Sequence, residues 1–396
     1  MDKQLMKNTL AAAIVLALGA TSASAIAADT RINGFASVVA GVTTDEDASM
    51  FGYNDNISFK PESLFALQIS SDLGDGLSAT AQIMSRGSND YAAEFEWAYL
   101  SYDINDSTQI NAGKLRIPFY RYSDFLDVGY AYAWARPPQA VYSLVFSTFD
   151  GLSLVNNHTI GDWDSTIQGF YGSYDGSVDL VSDEDPATLN NMMGINWTVT
   201  YDWFTARAIY AQAETSISFE NNEDPERLLN NGIALVGSIY PQVASDLNVD
   251  EDIGSFIGLG FAVDYNNLLV EAEFTTVDVE DSIVAKQEQY YVSVGYRFDD
   301  FTVYAITEHG EDTNEGDYDY SSDLPESLAI TADYTVYPRT AYQTLISSQE
   351  ETIDTFTVGT RYNFHPSAAL KFDITSTKIN DADAINVLSV GVDLVF

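Results

Sequence analysis

The C-terminal stretch Val387 to Phe396 alternates strictly, with Leu388, Val390, Val392, Leu394 and Phe396 on one face and Ser389, Gly391 and Asp393 on the other. A period of two is that of a β-strand, so this segment has one apolar and one wet side. The same pattern recurs upstream. Leu268, Val270, Ala272 and Phe274 oppose Glu271, Glu273 and Thr275, and Tyr290, Val292, Val294, Tyr296 and Phe298 oppose Ser293, Gly295 and Arg297. Phe356, Val358 and Tyr362 oppose Thr355, Thr357, Gly359 and Arg361, while Leu370, Phe372 and Ile374 oppose Lys371, Asp373 and Thr375. So charged a face does not suit a dry core.

From Arg31 onward, strands of about ten residues are joined alternately by short and long connections. The short ones are Asp72 to Gly76, Asn105-Asp106-Ser107, Gly161-Asp162, the junction at Asp202, Asn266-Asn267, Asp299-Asp300 and His365-Pro366-Ser367. Their Asn, Asp and Gly content suits tight hairpins. The long ones fall near residues 43–62, 87–94, 115–149, 175–191, 214–253, 278–287, 309–350 and 380–385. Seven turns and eight loops predict about 16 antiparallel strands, an even count that lets a sheet close. Periodicity alone leaves open a soluble sandwich with its apolar face inward. Short helices are expected around Pro225 to Leu247 and Pro325 to Gln349.

The N-terminus weighs against the sandwich. Lys3 and Lys7 precede an apolar run from Leu10 to Ala20, followed by small-residue patterns at Ala23-Ser24-Ala25 and Ala25-Ile26-Ala27. This order describes a secretory signal peptide over residues 1–25, with cleavage extending to 27 or 28 as the alternative. Residues 26–396 then form a single domain. No later stretch has the length of a membrane helix, since Leu228 to Leu247 is interrupted by Asn230, Asn231 and Pro241. Insertion into a membrane must therefore use strands, and the predicted fold is an all-β, closed antiparallel transmembrane barrel.

Without residues 1–25 the chain keeps 15 basic and 58 acidic side chains. Such a charge excludes nucleic acid as a partner. There is no cysteine, hence no disulfide framework or thiolate metal site. The runs Asp45-Glu46-Asp47, Asp183-Glu184-Asp185, Asp250-Glu251-Asp252 and Glu350-Glu351 lie in long loops and read as solvated surface. None has the spacing of a helix-loop-helix calcium site, so diffuse bridging of divalent cations to anionic lipid is the expectation there. Trp163, Tyr201, Trp203, Phe298 and Phe301 flank the short turns, where aromatic rings can sit at a membrane interface.

The third long connection is different. It opens with Gly113-Lys114-Leu115-Arg116-Ile117-Pro118-Phe119-Tyr120-Arg121-Tyr122, continues through Asp124 and Asp127, and runs through Tyr130, Tyr132 and Trp134 to Arg136-Pro137-Pro138. A loop in contact with water alone has little need of so many rings, so this one is expected to fold back into the lumen as a constriction. A lid across the barrel mouth is the alternative. Here the chain resembles the trimeric porins of Gram-negative outer membranes, on the opening Gly113 to Pro118 and on the terminal Phe396, which is similar to their assembly signal. The resemblance implies a constriction built from the third loop, for which Lys114, Arg116, Arg121, Asp124, Asp127 and Arg136 are the candidates. It also implies a facing basic wall and association of three barrels. Strand alternation offers Arg86, Arg207, Arg297, Arg361 and Lys371, with Glu271 and Glu273, as inward wall residues.

The function implied is that of an outer-membrane channel for passive diffusion of small hydrophilic solutes and ions, with no catalytic, cofactor or metal residues. A more selective channel for dicarboxylate- or phosphate-like anions is the runner-up, because Arg presents a planar fork to such groups. For either channel, Arg116, Arg121 and Arg136 at the constriction are expected to give a weak anion preference or near-neutral selectivity at high salt, which moves toward cations as salt is diluted and the acidic loops take over. An outer-membrane hydrolase would need a Ser/His/acid set, yet the histidines are only His158, His309 and His365, with His158 the least poor base. An adhesin acting through the loops is the remaining alternative.

Overall fold

The computed structural model describes residues 29–144, 146–178, 185–218, 249–280, 282, 284–314, 324–331, 334–337, 339–340, 343, 347 and 349–396. The signal peptide expected over residues 1–25 and the 219–248 connection, with the short helix expected around Pro225 to Leu247, lie outside these residues. The barrel strands are β1 (Asp29–Thr43), β2 (Leu64–Gly74), β3 (Leu77–Arg86), β4 (Ala93–Asn105), β5 (Thr108–Arg116), β6 (Thr148–Ile160), β7 (Trp163–Val178) and β8 (Asp185–Tyr201). They continue with β9 (Phe204–Ile217), β10 (Val249–Tyr265), β11 (Leu268–Val279), β12 (Lys286–Phe298), β13 (Phe301–Thr313), β14 (Glu351–His365), β15 (Ala368–Ile379) and β16 (Ile385–Val395). Each pairs antiparallel with its chain neighbours, and β1 pairs with β16 to close the barrel.

Local chemistry sets the register. Asn266-Asn267 joins the pair Tyr265 and Leu268, and Asp299-Asp300 joins Phe298 and Phe301. Asp202, Asn266 and Asp299 have φ of 40°, 55° and 53°, the left-handed backbone that such two-residue turns require and that Asn and Asp tolerate. The long connections lie at the other end of the barrel. One of them holds a feature the pattern did not predict, a small hairpin of Leu328–Thr331 and Tyr334–Val336 that stands apart from the barrel sheet. Residues 339–340, 343 and 347 of that connection are helical.

Burial decides between barrel and sandwich. Val292, Val294, Phe356, Val358, Phe372 and Ile374 are exposed on the outside, while Lys371 and Asp373 are buried inside. A belt of apolar side chains around a polar interior is stable only in lipid, where closure also leaves no edge strand unpaired. The aromatic rings at the turn end form contacts from strand to strand: Trp163 meets Tyr201 and Phe204, Trp203 meets Tyr265, and Phe301 stacks on Tyr362 with ring centroids 4.4 Å apart.

Closure is finished by the last residue. The Gly34 amide donates to the Phe396 carbonyl (2.8 Å), the Phe396 amide donates to the Gly34 carbonyl (2.9 Å), and the Phe396 ring stacks on Phe65. Gly34 is needed here, since a Cβ would lie 2.4 Å from the Phe396 ring. Deleting Phe396 should lower the yield of folded, heat-modifiable barrel several-fold more than deleting the exposed loop-tip residues Asp55 and Asn56. Electrophoretic mobility with and without boiling measures this, and equal yields would show that the last strand closes without its terminal residue.

Candidate functional site

The third loop, L3, is the segment between β5 and β6, and it lies inside the barrel. Its Tyr130 hydroxyl donates to the Pro366 carbonyl in the short turn between β14 and β15, so the loop descends to the turn end instead of lying across the mouth. Tyr120, Tyr122, Tyr132 and Trp134 are buried. They build a core within the lumen: Tyr122 packs edge-on to Trp134, Trp134 to Tyr291 of β12, and Phe119 stacks on Phe256 of β10 at 4.3 Å. These rings hold the loop and are not exposed to passing solutes.

The main chain of L3 crosses the lumen as irregular backbone, and its polar groups must find partners there. Wall side chains supply them. The Arg207 guanidinium donates to the Phe119 carbonyl (2.7 Å) and to that of Pro118. The Arg361 Nη1 donates to the carbonyls of Tyr130 and Tyr132, both at 2.8 Å, and the Lys371 Nζ donates to those of Gly129 and Trp134. Wall carboxylates serve the amides in turn. Glu273 accepts from the Arg121 N–H (2.6 Å), Asp373 from that of Ala135 (2.9 Å) and Glu308 from that of Ala140 (3.1 Å). At Gly129 the loop touches the wall so closely that a Cβ would lie 2.3 Å from Asp393 Oδ1.

The predicted constriction charges are drawn into the same seam. Arg116 bridges Glu96 and Asp127, each at 2.6 Å, and donates through Nε to the Ser123 carbonyl (2.7 Å). Arg86 reaches the other oxygens of the same two carboxylates, at 2.9 and 3.0 Å. This is a closed square of two cations and two anions. Arg121 pairs with Glu271 (3.2 Å), whose carboxylate also accepts from the Tyr122 hydroxyl. Arg136 pairs with Glu62, donates to Ser389 Oγ and lies 4.0 Å from the centre of the Phe51 ring.

The structure thus brings most of the predicted charges to the lumen, where carboxylates and loop carbonyls occupy them. Arg207, Arg361, Lys371 and Glu273 are turned to the loop, not to an open passage. Arg297 sits at the turn-end rim, clamped in two hydrogen bonds of 2.7 Å by Asp264. Lys114 lies in register with the exposed Ala98 and Asp150 and donates to the Phe95 carbonyl, while its neighbour Leu115 packs on the loop core, so by alternation Lys114 points away from the lumen. Of the candidates, Asp124 alone is exposed with no ion-pair partner among the described residues. Sequence reading missed Glu62, Glu96 and Glu308, and it set Ser293 on the polar face of β12 without its role there, which is to accept from Trp134 Nε1 (3.1 Å). Glu308 and Ser293 follow from strand alternation, whereas Glu62 precedes β2, and Glu96 adjoins the register shift of β4 that breaks the alternation.

Between L3 and the β1–β4 wall, with Ser367, Val395 and Phe396 at its margin, a space of ≈ 630 Å³ stays open, lined by the polar Asn33, Gln68, Gln82 and Asp124 and by the apolar Phe35, Trp97, Phe125, Val128 and Ala131. Among the described residues no group of three His, Asp or Glu is placed to hold a metal ion. The acidic run at 183–185 lies mostly outside those residues. His158 is exposed and in register with Ser165 of β7, His309 pairs with Asp354, and His365 accepts from the Ser367 amide.

The sequence profile of Gram-negative porins matches residues 11–382, and the chain belongs to that family. It is an outer-membrane β-barrel channel. Among solved structures, a loop-deleted OmpT of Vibrio cholerae is 12% identical, with TM-score 0.57, over 93% of this chain and 99% of its own. The channel DcaP of Acinetobacter baumannii gives 12% and 0.57 over 93% and 97%, and the anion-selective porin of Comamonas acidovorans gives 12% and 0.55 over 93% and 100%. At such identities the likeness is one of fold. Comparison with curated proteins finds no match.

Two outcomes follow from the seam. Lys371 is fully buried between two loop carbonyls and Asp393. Lys371→Met leaves that carboxylate uncompensated and should cost roughly 3–5 kcal/mol of barrel stability, the range for breaking a buried pair. Denaturant unfolding of the refolded protein measures it, and a loss below about 1 kcal/mol, the worth of an exposed pair, would refute the assignment. At Asp127, burial alone would raise the carboxyl, but Arg116 and Arg86 outweigh it and hold it below its ordinary value. A depressed carboxyl stabilises the docked loop above its unfolded value of about 3.9, and that contribution is lost as pH falls through the lower folded value. Open-channel current noise should therefore rise below about pH 4. Asp127→Asn should show the raised noise at neutral pH and a flatter pH response.

Proposed function

We propose that the chain is a passive diffusion channel for small hydrophilic solutes and ions whose passage follows the β1–β4 side of the lumen. The observation that carries this reading is the asymmetry of the interior, with L3 packed against the β9–β15 wall and a space of mixed amide and apolar lining left on the β1–β4 side. No bond is made or broken in such a path; solutes are sorted by size, by hydrogen bonding to Asn33, Gln68 and Gln82, and by charge.

The charge reading changes from the sequence expectation. An anion preference required unpaired guanidiniums at the narrowest point, and Arg116, Arg121 and Arg136 each carry a carboxylate partner. A paired charge projects little field on a passing ion. What remains is Asp124 facing the space, beneath acidic loops in a chain whose net charge is −42. A weak cation preference is therefore proposed at all salt concentrations, growing on dilution as the screening length lengthens from about 3 Å at 1 M to about 30 Å at 0.01 M. The separate reading as a channel for dicarboxylates or phosphates has no free cation cluster to support it among the described residues. Association as a homotrimer, the form recorded for a V. cholerae OmpT structure, belongs to the same proposal.

Reversal potentials in a planar bilayer under a potassium chloride gradient test the charge reading. The expected sign is cation-selective at 1 M, weakened by Asp124→Asn. Anion selectivity at 1 M would overturn it.

A further inference from the structure

The lumen breaks its own alternation on the side where L3 packs. Inward positions near the loop ends of β8 to β11 are apolar, among them Leu189, Met192, Ala213, Phe256 and Val277. In β8 this takes a specific device. The pairing with β9 shifts register between Asn190 and Met193, and Asn191 adopts φ 50°, so that Leu189 and Met192, three apart, both turn inward. A bulge of this kind re-aims side chains, and here it adds a second apolar group to a wall that a water-filled channel would leave polar.

These side chains and the loop residues Phe119, Leu144 and Phe146 line a half-open cavity of ≈ 210 Å³. Small residues make the room: Ala187, Ala211 and Ala213 line it, and Gly254 stands in register with Ala213. Among the described residues no charged side chain lines it, and its polar groups there are the neutral Ser143, Gln212, Thr215, Ser255 and Gln287. The volume is the right scale for a ring, because an apolar cavity of about 150 Å³ in another protein stays dry and binds benzene.

We propose that this cavity is a binding site for a neutral, largely apolar solute of the size of a substituted benzene with one hydrogen-bonding end. The apolar lining takes up the ring, Met192 adapts to its outline, and the hydroxyl or amide groups at the margin receive the polar end. A carboxylate or ammonium group is disfavoured because nothing in the lining compensates its lost hydration. The site lies outside the hydrophilic path and gives the channel a second kind of ligand.

Calorimetric titration of the refolded full chain with p-cresol tests this, with benzoate as the charged analogue. Saturable p-cresol binding is expected, at least tenfold tighter than benzoate. Ala213→Leu, which fills the cavity from the wall, should weaken p-cresol at least tenfold. Leu144→Gln, which makes the loop side polar without altering a strand, should weaken it several-fold and decides the matter if the first variant does not refold. Wild-type protein without saturable binding overturns the proposal. So do variants that give the same heats as wild type, which would mark partition into detergent, and so does benzoate binding as tight as p-cresol.

Discussion

An irregular chain crossing a barrel must have its amides and carbonyls satisfied by something other than its own secondary structure, and in this protein the wall does it with full charges. Arg207, Arg361 and Lys371 cap loop carbonyls, while Glu273, Asp373 and Glu308 cap loop amides. Hydrogen bonds to ionised groups contribute about 1.5–3 kcal/mol each, and buried ones are costly to lose. The interior charge of the barrel is thus first a scaffold for L3. What is left over defines the channel.

That division makes the lumen two-sided. Toward β9–β15 it is filled, with aromatic packing below and an apolar cavity near the loop ends; toward β1–β4 it is open, lined by amides and apolar side chains together, with Asp124 the one charged lining residue among those described. The square of Arg86, Arg116, Glu96 and Asp127 stands at the boundary. It holds the loop edge in place and presents no net charge to the open side. Selectivity then rests on shape and on the far field of the acidic loops more than on a ring of cations.

The barrel was legible because its rules are local. A period of two, Asn and Asp at positions of positive φ, and alternating connection lengths each follow from backbone geometry, and the seven turns and eight loops fall where that pattern puts them. The lumenal placement of L3 was legible too, from an aromatic content that water does not explain. The partners of its charges were not. Arg116 meets Glu96 across a strand, Arg136 meets Glu62 across 74 residues, and no alternation rule tells a solute-facing guanidinium from one turned to a carbonyl. Lys114, read as part of the loop's opening, still belongs to β5, whose register runs unbroken through Gly113 and sets it on the face opposite Leu115. The apolar cavity was hidden in strands such as β9, where Ala206 and Ala208 alternate with Ile209, Ala211 and Ala213 and both faces look alike.

The reach of the L3 contacts also dictates an order of events. Its anchors include Glu62 before β2 and Ser389 and Asp393 on the final strand, the last of these lying against Gly129. Partners so far apart in sequence come together only after the intervening chain has paired, and such contacts form late. The seat for L3 is complete only once β16 is in place, because Ser389 and Asp393 belong to it. A ribbon of strands inserting from one end would carry the loop undocked throughout, and its settling into the lumen would mark the moment at which the cylinder is complete.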